Sequence, residues 1–144
     1  MGGQVSFLGI PGTTEGKLVI DSYFWPPEEL GPLEEPIEIE ISKGRIQKIT
    51  SNTRESRILE QWLKGQSQHI AHLSIGTHPR ATLKKGLLEA ERYFGAFVVG
   101  FGSLPFHTDG IIKSPKITVD GQVLLENGRF SPKDLAVGDN YFDF

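Results

Sequence analysis

The sequence predicts a single α+β domain, built mostly from antiparallel hairpins with about two helices. Three observations support this fold class. The chain has 144 residues, which is enough for one domain and short for two. Short apolar and β-branched segments recur along it, separated by glycine- and proline-containing turns. Two longer stretches have the apolar spacing of a helix. We therefore treat residues 1–144 as one domain.

Six short segments carry the strand prediction. Residues 37–41 alternate strictly between isoleucine and glutamate, which predicts a strand with one apolar and one charged face. Lys43-Gly44 separates this segment from residues 45–49, so the two are expected to form a hairpin. Asp120-Gly121 and Asn127-Gly128 predict two further turns. The predicted strands cover residues 4–10, 17–23, 37–41, 45–49, 70–75 and 96–99.

Two segments carry the helix prediction. Residues 54–64 follow Ser51 or Asn52 as the candidate N-cap and precede Gly65, which ends the helix. Residues 83–94 show a second helical pattern. The apolar side of the first helix is formed by Ile58, Leu59, Trp62 and Leu63.

The composition excludes several classes of function. The chain contains no cysteine, so it has no disulfides, no thiolate metal ligands and no cysteine nucleophile. Its net charge is −3 and its lysines and arginines are scattered, which argues against a nucleic-acid partner. No apolar run approaches the ~20 residues of a membrane helix, and no signal-peptide pattern is present. We expect a soluble cytoplasmic domain with no nucleic-acid or membrane partner.

His107 and Asp109 are the first candidate metal ligands. In an extended segment, residues i and i+2 project on the same side with α-carbons roughly 6.5–7 Å apart. An imidazole nitrogen and a carboxylate oxygen can therefore converge on one cation. Gly110 predicts a tight turn that leaves the pair at a strand end. The alternative is an exposed turn in which Asp109 caps backbone amides.

His72 is the candidate third ligand. The chain has four histidines, and three of them (His69, His72 and His78) lie within ten residues. With His107 and Asp109, His72 would complete two imidazoles and one carboxylate, the facial triad typical of non-haem iron(II). The alternative is a histidine that is buried in the core and has a structural role. His69 projects to the opposite side of a regular strand and is expected to be structural or exposed.

Several segments resemble one family of metallopeptidases. They are Gly2-Gly3-Gln4-Val5, residues 71–81 (Ala-His-Leu-Ser-Ile-Gly-Thr-His-Pro-Arg-Ala), Leu88-Glu89-Ala90-Glu91-Arg92, Gly95, Pro105-Phe106-His107-Thr108-Asp109-Gly110 and Thr118-Val119-Asp120-Gly121. Together they resemble the C-terminal metal-binding domain of the aminopeptidase T/aminopeptidase S family. The resemblance implies the α+β fold of that domain. It spans nearly the whole chain but only the C-terminal half of a typical member, which implies that the family's N-terminal domain is absent.

The ligands of that family are only partly retained. The resemblance aligns Gln4 and His72 with two glutamate ligands, and Val98 with a histidine ligand. His107 and Asp109 match unchanged. The retained set therefore differs from that of the two-metal peptidases at three positions.

Electrostatics opposes two metals at such a site. Two dications ~3.5 Å apart repel by about 19 kcal/mol at an effective dielectric constant of 20. Bridging carboxylates must offset this repulsion, and Asp109 supplies one negative charge. Glu89 and Glu91 could add carboxylates, but we expect them to support the fold from the second helix.

The histidine at position 72 resembles a different branch of the same fold. 2,5-Dihydroxypyridine 5,6-dioxygenase uses one iron(II), held by two histidines and an aspartate. The resemblance implies a ring-cleaving dioxygenase-like enzyme that binds Fe(II) through His72, His107 and Asp109. Its substrate would be a small aromatic or heterocyclic molecule. The peptidase relatives imply zinc or cobalt as the alternative metal.

Four more residues are candidates for roles around the metal. His78 is the candidate catalytic acid or base, with a loop histidine as the alternative. Arg80 is a candidate for binding an anionic substrate, or else a solvated surface residue. Phe106 is a candidate wall of an aromatic pocket, or else a core residue. Thr108 is expected to make a supporting hydrogen bond.

Three functions remain open from the sequence. The first is a mononuclear dioxygenase-like enzyme, and the second is a two-metal peptide hydrolase; both would act on a small-molecule or peptide substrate. The third is a non-catalytic binding or assembly domain with a degenerate site and no metal, whose partner is another protein or a second copy of the chain. Whichever function holds, the aromatic segment 140–144 is expected to dock on the core or on a second subunit.

Overall fold

The apolar and β-branched segments form three antiparallel sheets in the computed structural model, which describes residues 2–103, 106–136 and 138. The strands are β1 (Gln4–Phe7), β2 (Gly16–Ile20), β3 (Tyr23–Trp25), β4 (Gly31–Pro32), β5 (Ile37–Ser42), β6 (Arg45–Ile49), β7 (Ile70–Gly76), β8 (Phe97–Ser103), β9 (Phe106–Ile112), β10 (Ile117–Val119), β11 (Gln122–Glu126) and β12 (Arg129–Phe130). The helices of the described part are α1 (Arg54–Leu63) and α2 (Leu87–Ala90). These elements confirm the predicted α+β fold with mostly antiparallel strands.

The largest sheet has six strands in the order β1-β7-β8-β9-β3-β4. The other two sheets have three strands each, in the orders β2-β5-β6 and β10-β11-β12. The strands β7, β8 and β9 pair antiparallel in the middle of the six-stranded sheet. This central position matters because all three candidate metal ligands lie on β7 and β9.

One face of the six-stranded sheet packs against the sheet β2-β5-β6 and the helix α1. The alternation of β5 buries Ile37, Ile39 and Ile41 on this side and leaves the intervening glutamates outside the core, as the sequence predicted. Burial of each such side chain contributes roughly 1.5–3 kcal/mol. This core cluster contains Ile20, Phe24, Ile37, Ile39, Ile41, Ile46, Ile49, Leu59, Leu63, Val99 and Phe101.

The opposite face of the six-stranded sheet carries a smaller apolar cluster beside the candidate site. Its buried members are Tyr23, Ala90, Ala96, Val98 and Ile111. Side chains two residues apart on a strand share a face. Gly100 therefore lies on the same face as Val98, and Asp109 on the same face as Ile111. The smaller cluster thus supports one side of the metal-ligand region.

The helix α1 begins at Arg54, as predicted, but its N-cap is Thr53. Thr53 has extended backbone angles, and its side chain accepts a hydrogen bond from the Ser56 backbone N–H at 3.1 Å. The prediction of Ser51 or Asn52 as the N-cap is therefore wrong. Ser51 instead lies 2.5 Å from the Ser56 hydroxyl and accepts a hydrogen bond from the Glu38 backbone N–H.

The second predicted helix is much shorter than expected. Only Leu87–Ala90 is helical, whereas the sequence predicted residues 83–94. Gly86 has φ +103°, which is outside the helical region, so the helix cannot extend further toward the N-terminus. The rest of the segment forms bends and turns. The side chains of Leu83, Leu87 and Tyr93 pack against the smaller apolar cluster of the six-stranded sheet.

Several strand boundaries also differ from the prediction. The segment 17–23 divides into β2 and β3, which belong to different sheets. Gly110 does not form a turn but lies inside β9, where a Cβ atom would be 2.9 Å from the Phe24 ring and 3.1 Å from Ile20. The Phe24 ring of the neighbouring strand β3 and the Ile20 side chain of the sheet β2-β5-β6 therefore leave no room for a side chain at this position.

The two predicted C-terminal turns are confirmed. Asp120 and Asn127 adopt φ angles of 51° and 52°, and the glycine after each also has a positive φ. No helix of the described part is long and apolar enough to cross a membrane. The segment 140–144, predicted to dock on the core or a second subunit, lies outside the described residues.

Candidate metal centre

Three neighbouring strands bring the candidate ligands together. In the register of the sheet, His72 of β7 pairs with Gly100 of β8, and Gly100 pairs with Asp109 of β9. His107 lies two residues before Asp109 on β9 and shares its face. The ligands therefore come from two strands that flank a glycine on the strand between them.

Gly100 provides the space in which the ligands meet. A Cβ atom at this position would lie 2.5 Å from Nε2 of His72 and 2.9 Å from Oδ1 of Asp109. Both distances are too short for non-bonded atoms. A glycine inside a strand is typical of sites where another group must approach the backbone closely. The sequence contains this glycine, but its role depends on neighbours across the sheet that no local pattern indicates.

The three side chains converge within bonding reach of one cation. One ligand atom from each of His72, His107 and Asp109 lies within 4.8 Å of the others. Nε2 of His72 is 2.9 Å from Oδ1 of Asp109, and Nε2 of His107 is 3.4 Å from Oδ2. The two imidazole rings meet edge to face, with centroids 5.1 Å apart. The structure thus brings together the residues that the sequence predicted as ligands.

The surroundings of these groups favour a cation between them. Asp109 is only 5% exposed, so its charge is poorly solvated. The Asp109 carboxylate raises the pKa of His72 by hydrogen bonding to the imidazolium and attracting its charge, although burial acts in the opposite direction. The buried Nδ1 of His107 has no hydrogen-bond partner within the described residues. Two imidazoles and one carboxylate are a suitable donor set for a single divalent metal.

The ligands line a cavity of about 930 Å³ whose walls are largely apolar. That volume lies within the range of sites for small molecules. Phe106, predicted to wall an aromatic pocket, lines this cavity and is 77% exposed, so it is not a core residue. The other apolar lining residues are Trp25, Pro26, Trp62, Leu87 and Leu88.

Glu91 is a cavity residue that the sequence interpretation assigned to a supporting helix. It lies just after α2 and lines the same cavity as the three candidate ligands. Burial and the nearby Asp109 carboxylate raise the pKa of Glu91, while a hydrogen bond from the Gln4 side chain opposes the shift. No sequence pattern distinguished Glu91 from Glu89, because both fell within the predicted helix.

His78 and Arg80 lie in a neighbouring cavity of about 470 Å³. The backbone N–H of Arg80 donates to Nδ1 of His78 at 3.1 Å. Lys85, Glu89 and Arg92 also line this second cavity, and Leu88 borders both. The structure therefore separates His78 and Arg80 from the candidate ligands, and their predicted roles in catalysis and substrate binding stay predictions.

Thr108 and Val98, which the sequence also singled out around the site, are both fully buried. Thr108 is fully buried and donates a hydrogen bond to the Pro26 carbonyl rather than to a ligand. It therefore supports the cavity wall from behind. Val98 is fully buried in the smaller apolar cluster, whereas Gln4 lines the cavity.

The fold is similar to a solved structure of a 2,5-dihydroxypyridine dioxygenase from Pseudomonas putida KT2440. The TM-score is 0.74 at 22% sequence identity, and the similarity covers 85% of this chain and 42% of that chain. This chain thus matches less than half the length of that protein, and the likeness concerns the fold. No family model matches the sequence, and no curated protein matches it. Membership of the aminopeptidase T/aminopeptidase S family is therefore not shown.

Proposed function

We propose that this chain is a mononuclear metal-binding domain of a ring-cleaving dioxygenase type, with Fe(II) held by His72, His107 and Asp109. The observation that carries the proposal is the convergence of the three ligand atoms within 4.8 Å. They meet above a glycine whose missing side chain leaves room for them. Burying the Asp109 carboxylate destabilises the folded protein unless a positive charge compensates it, and a bound cation would supply that charge.

A single metal fits this donor set better than two. Asp109 is the one carboxylate among the three candidate ligands, and the mutual repulsion of two dications would remain largely uncompensated. Glu91 adds a carboxylate to the cavity, but a hydrogen bond from the Gln4 side chain engages it. We therefore expect one metal ion per chain. Zinc and cobalt suit the same donors and are the alternative metals.

The cavity suits a small aromatic or heterocyclic ring. Iron(II) in such a triad would supply the redox chemistry by which dioxygen reacts with a ring. Trp25 and Phe106 offer aromatic faces on which a ring can stack. Glu91 is suited to accept a proton from a ring hydroxyl, because it lines the cavity and burial raises its pKa. The substrate class follows from this combination of apolar walls and one proton acceptor.

Metal stoichiometry tests the metal-binding part of the proposal. Purified protein would be loaded anaerobically with Fe(II), separated from free metal and analysed by mass spectrometry. We expect about one iron per chain, and loss of binding in His72→Ala, His107→Ala and Asp109→Ala. His69→Ala is the matched control, because His69 immediately precedes β7 and lines a different cavity. Circular dichroism verifies that each variant is folded.

Oxygen consumption tests the catalytic part. The iron-loaded protein would be assayed with 2,5-dihydroxypyridine, catechol and 2,5-dihydroxybenzoate, with the His107→Ala variant as the blank. Substrate-dependent oxygen uptake with ring opening is the expected result. Two metals per chain with hydrolysis of leucyl amides would instead favour the peptidase alternative. Absence of any metal binding would favour a non-catalytic binding domain.

A further inference from the structure

A chain of two serine hydroxyls extends from His72 across β7 to the edge strand β1. Nδ1 of His72 lies 3.3 Å from the Ser74 hydroxyl, and the Ser74 hydroxyl donates to the Ser6 hydroxyl at 2.9 Å. The backbone explains this arrangement. His72 and Ser74 share a face because they are two residues apart, and Ser6 is the register partner of Ser74 on β1.

The direction of these hydrogen bonds determines which nitrogen of His72 carries its proton. A serine hydroxyl has one hydrogen to donate. Since Ser74 donates that hydrogen to Ser6, it can only accept from His72. Nδ1 of His72 must therefore carry a hydrogen. In a neutral imidazole the other nitrogen, Nε2, then has the free electron pair.

That free electron pair points toward the candidate metal centre. Nε2 is the nitrogen of His72 that lies 2.9 Å from the Asp109 carboxylate. Without a metal, a hydrogen on Nε2 bridges this gap as a hydrogen bond to Asp109, and a bound metal ion would take its place. The hydroxyl chain and the carboxylate thus fix the ring orientation, and a metal on Nε2 would leave the hydrogen of the neutral ring on Nδ1.

We propose that Ser74 and Ser6 are positioning residues that hold His72 as the Nδ1–H tautomer and present Nε2 to the metal. The proposal rests on the metal site proposed above and extends it beyond the three ligands. Ser74 is completely buried, so water cannot replace its hydroxyl when it is removed. Loss of a group that orients a ligand histidine typically lowers metal affinity 10–100-fold.

Metal affinity in serine variants provides the first test. Co(II) and Zn(II) affinities would be measured by competition with a chromophoric chelator. We expect Ser74→Ala to bind roughly 10–100-fold more weakly, and Ser6→Ala to show a smaller loss. Ser74→Thr keeps the hydroxyl and should recover affinity. Ser103→Ala is the matched control, because Ser103 is an exposed serine at the end of β8. Equal affinity of Ser74→Ala and the unmodified protein would overturn the proposal.

The ligating nitrogen of His72 provides a second test. Long-range ¹H–¹⁵N spectra of the Zn(II)-loaded protein distinguish a hydrogen on Nδ1 from one on Nε2. We expect the hydrogen on Nδ1, and His72→Ala identifies the signals of His72. A hydrogen on Nε2 in the loaded protein would contradict the proposal even though metal binds. Absence of Zn(II) binding would overturn both the positioning role and the proposed function.

Discussion

Gly100 lies in register between His72 and Asp109, and its missing side chain leaves the space that their ligand atoms occupy. Its φ lies outside the left-handed region, so the backbone itself accepts an alanine. We expect Gly100→Ala to lower metal affinity by at least the roughly 10–100-fold that changes around metal ligands cost. Isothermal titration with Zn(II) measures the loss.

The control for this substitution is another glycine in ordinary surroundings. A Cβ atom at Gly9 would meet its nearest neighbours at 3.9 Å, which is normal van der Waals contact. Gly9→Ala should therefore bind metal like the unmodified protein. Unchanged affinity in Gly100→Ala would mean that the ligand atoms do not meet at this glycine.

The pairing of His72 with Asp109 predicts how stability depends on pH without metal. The pKa of His72 is raised above its ordinary value of 6.5, chiefly by Asp109. A raised folded-state pKa contributes stability that is fully present below 6.5 and is lost as the pH rises through the folded pKa. Burial raises the pKa of Glu91 too, and its contribution is lost in the same direction from about 4.5 upward. We expect urea unfolding of the metal-free protein to show this decline.

Two comparisons separate the contribution of His72 from other groups. In Asp109→Asn the decline above pH 6.5 should flatten, because the asparagine cannot pair with an imidazolium. In the loaded protein, metal affinity should rise with pH over the same window, because the ligand histidines must lose their protons to bind. A metal-free decline of equal slope in Asp109→Asn would contradict the assignment to this pair.

The three candidate ligands could be singled out from the sequence, but their surroundings were only partly predictable. The i, i+2 spacing of His107 and Asp109 is a local property of an extended chain, and β9 realises it. Gly100 owes its role to its neighbours across the sheet, which only the strand register reveals. Glu91 enters the cavity because the second helix ends early, and no local pattern indicated this end.

On the scale of elements, β9 and the segment after β3 are joined by Thr108. Its hydroxyl donates to the carbonyl of Pro26, and Pro26 lines the cavity beside the candidate ligands. Thr108→Val keeps the shape of the side chain but leaves the carbonyl without this partner. Loss of such a buried hydrogen bond costs about 1–3 kcal/mol of the free energy of unfolding. Chemical denaturation measures this change.

Thr108→Ser is the companion variant because it retains the hydroxyl and removes only the methyl group. We expect most of the stability to remain in this variant. If Thr108→Val and Thr108→Ser destabilise the protein equally, packing of the methyl group rather than the hydrogen bond supports this wall. Metal affinity should change little in either variant, since the Thr108 side chain points away from the ligands.

The elements with a strong local pattern were predicted well, and those determined by distant contacts were not. The alternation in β5 follows directly from one buried and one exposed face. The segment 17–23 reads as one strand, yet its two halves join different sheets. Leu87 and Leu88 have helical spacing with their neighbours, but the helix is only four residues long. Both leucines line the cavity beside the candidate ligands. Such outcomes depend on partners far along the chain.

On the scale of the whole molecule, the proposed metal would connect β7 and β9 across β8 in the largest sheet. A ligand that binds only the folded state stabilises it by about 2.7 kcal/mol at a concentration 100 times its Kd. For a chain of 144 residues this corresponds to a rise in Tm of roughly 5–10 °C. We expect this rise when Zn(II) is added in calorimetry, a smaller rise in Gly100→Ala and no rise in His107→Ala. An equal shift in these variants would show that the metal stabilises the protein from another site.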